Sequence, residues 1–207
     1  MTDTLQESYT PRAWQSLRGL QGISDHTLEV HFGLYQGYVK NANLLNERLA
    51  ERAAAGKLSG SDPLFAELKR RLGFEVNGMR LHEYYFDNLT ASGSDIPTSG
   101  ALYDALGASY GSIERWRDDF AAVGAMRGVG WAIAYADPTN GRITNTWVTL
   151  HEDGNFAGFT PVLVMDVWEH AFILDYAPAD RPKYIDAFLS TVDWKCVAGR
   201  LPGPAKR

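Results

Sequence analysis

Residues 162–176, VLVMDVWEHAFILDY, set an aspartate, a glutamate and a histidine among apolar side chains. Charged groups in such surroundings are ordinarily paired or bound to a metal. Asp166 and His170 lie four residues apart, a spacing that puts them on one face of a helix. It also lets them converge where a strand turns into a helix. Glu169 points elsewhere and is expected to serve a different partner. A solvated loop with an incidental Asp–His pair is the alternative, because Asp-x-x-x-His is frequent by chance. The neighbouring residues 162–165, Trp168 and Phe172 weigh against it.

Other metal-ligating types are scarce. The only histidines are His26, His31, His82, His151 and His170, and the only cysteine is Cys196. Any metal site must therefore use nitrogen and oxygen. His31 (EVHFGLYQGY) and His82 (RLHEYYF) each sit among aromatics on a predicted helix. A lone histidine on an apolar helix face is more often a satisfied core residue. Here each of two neighbouring helices carries one, and with Asp166 and His170 they make three imidazoles and a carboxylate. That set suits a redox-active first-row metal such as iron or manganese. A structural zinc site would more often be closed and cysteine-rich. Tyr38 follows His31 by close to two helical turns, so it projects over the same point. His151, in TLHEDGN, reads as an exposed turn residue, and His26 beside Asp25 as solvated. Core packing is the default for Trp131, Trp168 and Trp194.

The positioning elements are readable. Ser24 is a plausible N-cap for a helix over 25–55, with Leu28, His31, Tyr35, Tyr38 and Leu45 near one face. GKLSGSDP breaks it, and Asp62–Pro63 opens a second long helix. Together they predict an antiparallel hairpin. Residues 90–100 are a linker, which places a helical-hairpin domain at 1–95 and an α/β domain at 96–207. The second half predicts short helices over 101–111 and 112–126, and β-runs GWAIAYA and ITNTWVTL around the hairpin connection DPTNGR. A third run, PVLVM, leads into the Asp166 motif, and a single terminal helix is expected over 181–201. The fold class is α+β, with a roughly three-stranded antiparallel sheet and a metal between the lobes.

Composition sets limits. The 207 residues are 45% hydrophobic, enough for one core or two lobes sharing a seam. A net charge of −5 argues against a nucleic-acid partner. No window predicts a membrane span, and the first residues lack a signal peptide pattern. One cysteine fits a reducing, cytoplasmic setting.

The ordered motifs DVWEHAF, LDY, RPKYIDAF and VDW, with ISDHTLEVHFGLYQGYVKNAN, RLHEYYFDN and GVGW before them, resemble the iron/manganese superoxide dismutase family over most of the chain. The resemblance implies that His31, His82, Asp166 and His170 hold one iron or manganese ion per chain. It implies that Tyr38 is the gateway tyrosine of the substrate channel and that Trp131, Trp168 and Tyr85 form the aromatic shell. Glu169 matches the glutamate that contacts the partner subunit's ligand histidine, here His170, across a homodimer interface. Whether dimers pair into tetramers is left open.

Three departures stand out. The stretch from His31 to Tyr38 is one residue shorter than is usual in the family and lacks a further histidine, with Leu34 and Tyr35 in its place. This implies a first helix without the π-bulge that absorbs an extra residue. Ile173 replaces the tyrosine that bonds that missing histidine, so both partners of one hydrogen bond are lost together. The glutamine expected near metal-bound solvent is absent. Gly78 occupies one of its two positions and His151 the other, which makes His151 an expected neighbour of the site.

The resemblance implies conversion of superoxide to dioxygen and hydrogen peroxide through a redox cycle of the metal, with Lys40, Arg181 and Lys183 as candidates for an anion-attracting funnel. The alternative is a metal-binding relative with little such activity, serving as another oxidoreductase or a structural protein. A ferritin-like di-iron site would need repeated Glu-x-x-His pairs, which are absent.

Overall fold

Two helix starts follow from local capping. In the computed structural model, which describes residues 8–203, the Ser24 hydroxyl accepts from the Thr27 amide at 3.1 Å and opens helix α1, Asp25–Ala54. The Asp62 carboxylate accepts from the Leu64 amide at 3.0 Å and opens α2, Pro63–Asp87, with proline in its first turn. Both caps satisfy amides that a helix leaves unpaired.

The buried stripe of α1 runs Leu28, His31, Tyr35, Val39, Ala42 and Leu49, at the three- and four-residue steps of one helical face. It packs against α2 as an antiparallel hairpin. Helix α1 is α-helical throughout, with no π-turn between His31 and Tyr38, as the shortened spacing implied.

After the linker come α3, Ala101–Tyr110, and α4, Ile113–Gly124. Strands β1 (Gly130–Ala136), β2 (Ile143–Thr149) and β3 (Thr160–Asp166) form an antiparallel sheet in the order β2-β1-β3. The central strand β1 is buried along its whole length. Trp131 pairs with Asp166 of β3 and with Val148 of β2. Directly opposed residues point to the same face of a sheet, so this register puts the Trp131 indole and the Asp166 carboxylate on one side. The helical hairpin and the α/β part meet at the His31, His82, Asp166 and His170 group.

The terminal helix differs from expectation. It divides into α5, Arg181–Ser190, and α6, Trp194–Gly199. The β-branched pair Thr191–Val192 leaves the helix, and Val192 bridges to Leu89. Asp193 then caps a new helix by accepting from the amides of Lys195 and Cys196. A carboxylate N-cap competes with helix continuation at that point. Among the described residues no helix is long and apolar enough to cross a membrane. Part of the stretch read for a signal peptide, residues 1–7, lies outside the described residues.

Candidate metal centre

The four residues come from four places in the chain: His31 from α1, His82 from α2, Asp166 from the end of β3, and His170 from a 3-10 turn over Glu169–Ala171. Their potential ligand atoms all lie within 4.8 Å of one another. The Nε2 atoms of His31 and His170 are each 3.1 Å from Asp166 Oδ2, and that of His82 is 3.7 Å away. The cluster is inaccessible except at His170, whose side chain is 19% exposed.

The surroundings orient each donor. His82 Nδ1 lies 2.6 Å from the Gly78 carbonyl. A carbonyl only accepts, so Nδ1 carries the proton and Nε2 presents a lone pair. That Nε2 is buried and has no hydrogen-bond partner among the described residues. An orphaned lone pair facing a carboxylate oxygen and two further imidazole nitrogens is what a cation would satisfy. The nitrogen-and-oxygen set, with no thiolate, fits iron or manganese.

Asp166 is held from behind. Its Oδ1 accepts from the Trp168 amide at 2.8 Å, and its carbonyl accepts from the Tyr184 hydroxyl at 2.7 Å. Tyr85, stacked on Phe188 and 5.0 Å from the His31 ring, contacts the Tyr184 hydroxyl. Burial by itself would raise the Asp166 carboxyl. The charge and hydrogen bonds of His170, and then of His31, carry it well below the usual carboxylate range. Burial pushes the His31 and His82 imidazoles below their ordinary value, against the pull of Asp166. An ionised Asp166, and the neutral forms that burial favours for His31 and His82, are the protonation states that metal binding requires.

A second group stands beside this cluster. The Tyr38 ring packs 5.1 Å from the His82 ring, and its hydroxyl lies 2.8 Å from His151 Nε2. Trp131 Nε1 donates to His151 Nδ1 at 3.0 Å. Trp168 stacks on both His151 and His170. His151 is fully buried, unlike the exposed turn that composition alone favoured before the resemblance made it an expected neighbour of the site. The cause is local: Leu150 takes a left-handed conformation at φ 54°. The chain therefore turns outward at Leu150 and inward at His151. The loop is fixed by Asn155, which donates to the His151 carbonyl and accepts from Tyr135.

Glycine at 78 has a steric reason. A Cβ there would lie 2.6 Å from Tyr38 Cδ1 and 2.8 Å from Cε1, so the tyrosine ring occupies the hollow that glycine leaves. Glu169 is exposed and outside the cluster, and His26 is solvated. Tyr184, in the quoted motif RPKYIDAF, had no assigned role in the sequence reading, nor did Phe74, whose ring lies 4.4 Å from His151. The linear pattern carried no signal for either, since both contacts are made across the fold.

Residues 98–200 match the family model for iron/manganese superoxide dismutases, C-terminal domain. The chain is 37% identical to an iron superoxide dismutase of Cupriavidus metallidurans, over 88% of this chain and 90% of that one. It is 35% identical to a manganese superoxide dismutase of Haloferax volcanii over 86% of each. To an iron superoxide dismutase of Aquifex pyrophilus the identity is 36%, over 89% of this chain and 86% of the other. With this similarity spanning most of its length and the four-residue cluster in place, the chain belongs to the iron/manganese superoxide dismutase family.

Proposed function

We propose that the chain dismutates superoxide at an iron or manganese ion held by His31, His82, Asp166 and His170. The observation that carries this reading is the convergence of their four donor atoms within 4.8 Å at a buried point. When bound, the ion would supply the one-electron oxidation and reduction that, with two protons, turn two superoxide ions into dioxygen and hydrogen peroxide. The protein supplies the rest. The Gly78 carbonyl fixes the His82 tautomer, and the Trp168 amide with the Tyr184 hydroxyl fixes Asp166. Trp131, Trp168 and Tyr85 exclude bulk water. Tyr38, held by its contact with His151, is the group placed to give up a proton beside the cluster.

Positive charge for attracting the anion comes from Lys40, exposed two residues past Tyr38, and from Arg181, whose guanidinium bonds the Met126 and Gly128 carbonyls. Lys183 contributes less, because Asp180 pairs with it at 2.8 Å.

The active form in this reading is a homodimer. Val30 and Leu34 flank His31 along α1, Ile173 and Leu174 follow His170, and all four are 39–48% exposed. A second copy covering these apolar groups would bring the exposed Glu169 to the partner subunit's His170. The division into a helical domain, 1–95, and an α/β domain, 96–207, belongs to the same reading, as does a reducing, cytoplasmic setting for Cys196.

A second reading, a metal-binding relative with little dismutase activity, draws support from Leu34–Tyr35 and Ile173, which stand where a histidine–tyrosine pair is expected. The deciding experiment is superoxide dismutation per bound metal, on chains loaded separately with iron and with manganese. Turnover with one or both establishes the activity and the metal preference. Full occupancy without turnover overturns it in favour of the second reading.

A further inference from the structure

The donor and acceptor roles around His151 can be worked out from chemistry alone. An indole nitrogen only donates. Trp131 Nε1 lies 3.0 Å from His151 Nδ1, so Nδ1 must offer a lone pair. A neutral imidazole carries one proton, which must then sit on Nε2. Nε2 is 2.8 Å from the Tyr38 oxygen, so His151 donates and Tyr38 accepts. Turning the ring over would place carbons against both partners. Protonating the ring would set an Nδ1–H against the Trp131 N–H, donor against donor. Burial adds to that penalty and lowers the imidazole to about 4.

We propose that Trp131 is a positioning residue that fixes His151 as the Nε2–H tautomer, so that His151 commits its one N–H to the Tyr38 oxygen and leaves the Tyr38 O–H as the free donor beside the cluster. This rests on the dismutase reading for its functional meaning. An amide side chain has two N–H donors and could serve Tyr38 and a bound solvent together. An imidazole in this tautomer has none left after Tyr38. His151 therefore acts through Tyr38 and does not bond solvent on the metal. Among the described residues the Tyr38 hydroxyl has no other hydrogen-bond partner, which leaves its proton available.

The test is long-range proton–nitrogen NMR on the full-length chain with labelled histidine, loaded with zinc so that no unpaired electron broadens the signals. Four samples are compared: the unaltered chain, Tyr38→Phe, Trp131→Phe, and His151→Gln to assign the His151 resonances by their loss. The expected result is a protonated Nε2 and bare Nδ1 in the unaltered chain, unchanged in Tyr38→Phe, with the Nδ1–H form appearing in Trp131→Phe. A protonated Nδ1 in the unaltered chain overturns the proposal. So does a switch in Tyr38→Phe, which would make Tyr38 the governing partner. If Trp131→Phe does not fold, the other spectra still decide. The readout is independent of turnover: the expected tautomer in an inactive enzyme would sink the dismutase reading and leave the hydrogen-bond assignment standing.

Discussion

Replacing Gly78 with alanine should reverse the usual sign of a glycine-to-alanine change in a helix. Position 78 is inside α2, where alanine is ordinarily favoured by about 1 kcal/mol. Here the new methyl would come within 2.6–3.0 Å of Tyr38 Cδ1, Cε1 and Cγ. Those atoms include the root of the ring, so the side chain must move as a whole. Overpacking of this kind costs about 1–3 kcal/mol. Gly78→Ala should therefore destabilise the chain by roughly 0–2 kcal/mol. In a Tyr38→Ala background the obstacle is gone, and the same change should stabilise by about 1 kcal/mol. The coupling between the two sites is then about 1–3 kcal/mol. The assay is urea denaturation of the metal-free single and double variants, since bound metal would add its own linkage. Activity supplies an independent check, because a displaced Tyr38 loses its 2.8 Å contact with His151. If Gly78→Ala stabilises both backgrounds equally, within about 0.5 kcal/mol, the close-packing argument is refuted.

Three further outcomes are expected. Substituting His82→Ala removes the nitrogen that faces the cluster unpaired, so metal affinity should fall by more than the roughly 10–100-fold typical of losing an orienting partner; metal retained at one ion per chain after dialysis would contradict the ligand role. Glu169→Ala should loosen the dimer and the metal together, and a variant that sediments as a dimer with full metal content would rule out the cross-interface contact. In acid, His151 is the group to follow: its folded value of about 4 lies below the ordinary 6.5, so the stability it contributes is complete above pH 6.5 and is lost as pH falls toward 4. At about 1.4 kcal/mol per unit, the unaltered metal-free chain should lose about 3 kcal/mol more than His151→Gln across that window, and parallel stability curves for the two would show that His151 is not buried neutral.

How much of this was legible depended on what each inference required. The four cluster residues could be found because their types are scarce: with one cysteine and five histidines, few metal sites can be composed at all. The helical hairpin and three strands followed from period and capping, which are local. His151 was different. Its burial depends on the left-handed turn at Leu150, and a leucine gives no hint of that conformation in the way glycine or asparagine would. The break between α5 and α6 was legible in principle, because Asp193 follows two β-branched residues, but the pull that ends α5 includes a bridge from Val192 to Leu89, about a hundred positions away.

The same distinction separates the identity of a site from its direction. That Tyr38 and Trp131 flank the cluster could be expected from their places in matching motifs, and that His151 is near it only from the glutamine position it takes, not from any pattern that foretold its burial. Which of them donates could not, because proton placement follows from pairings that only the fold creates. Trp131 meets His151 because the β1–β3 register sets Trp131 opposite Asp166, while the inward turn after β2 delivers the imidazole to the same side. Tyr38 meets His151 because an unbulged α1 carries the phenol into the hollow at Gly78. A side chain at 78 would compete with Tyr38 for that space. The glycine at 78 and the imidazole at 151 are therefore two halves of one arrangement, and a substitution at either should alter the position of the Tyr38 hydroxyl before it alters the metal ligands.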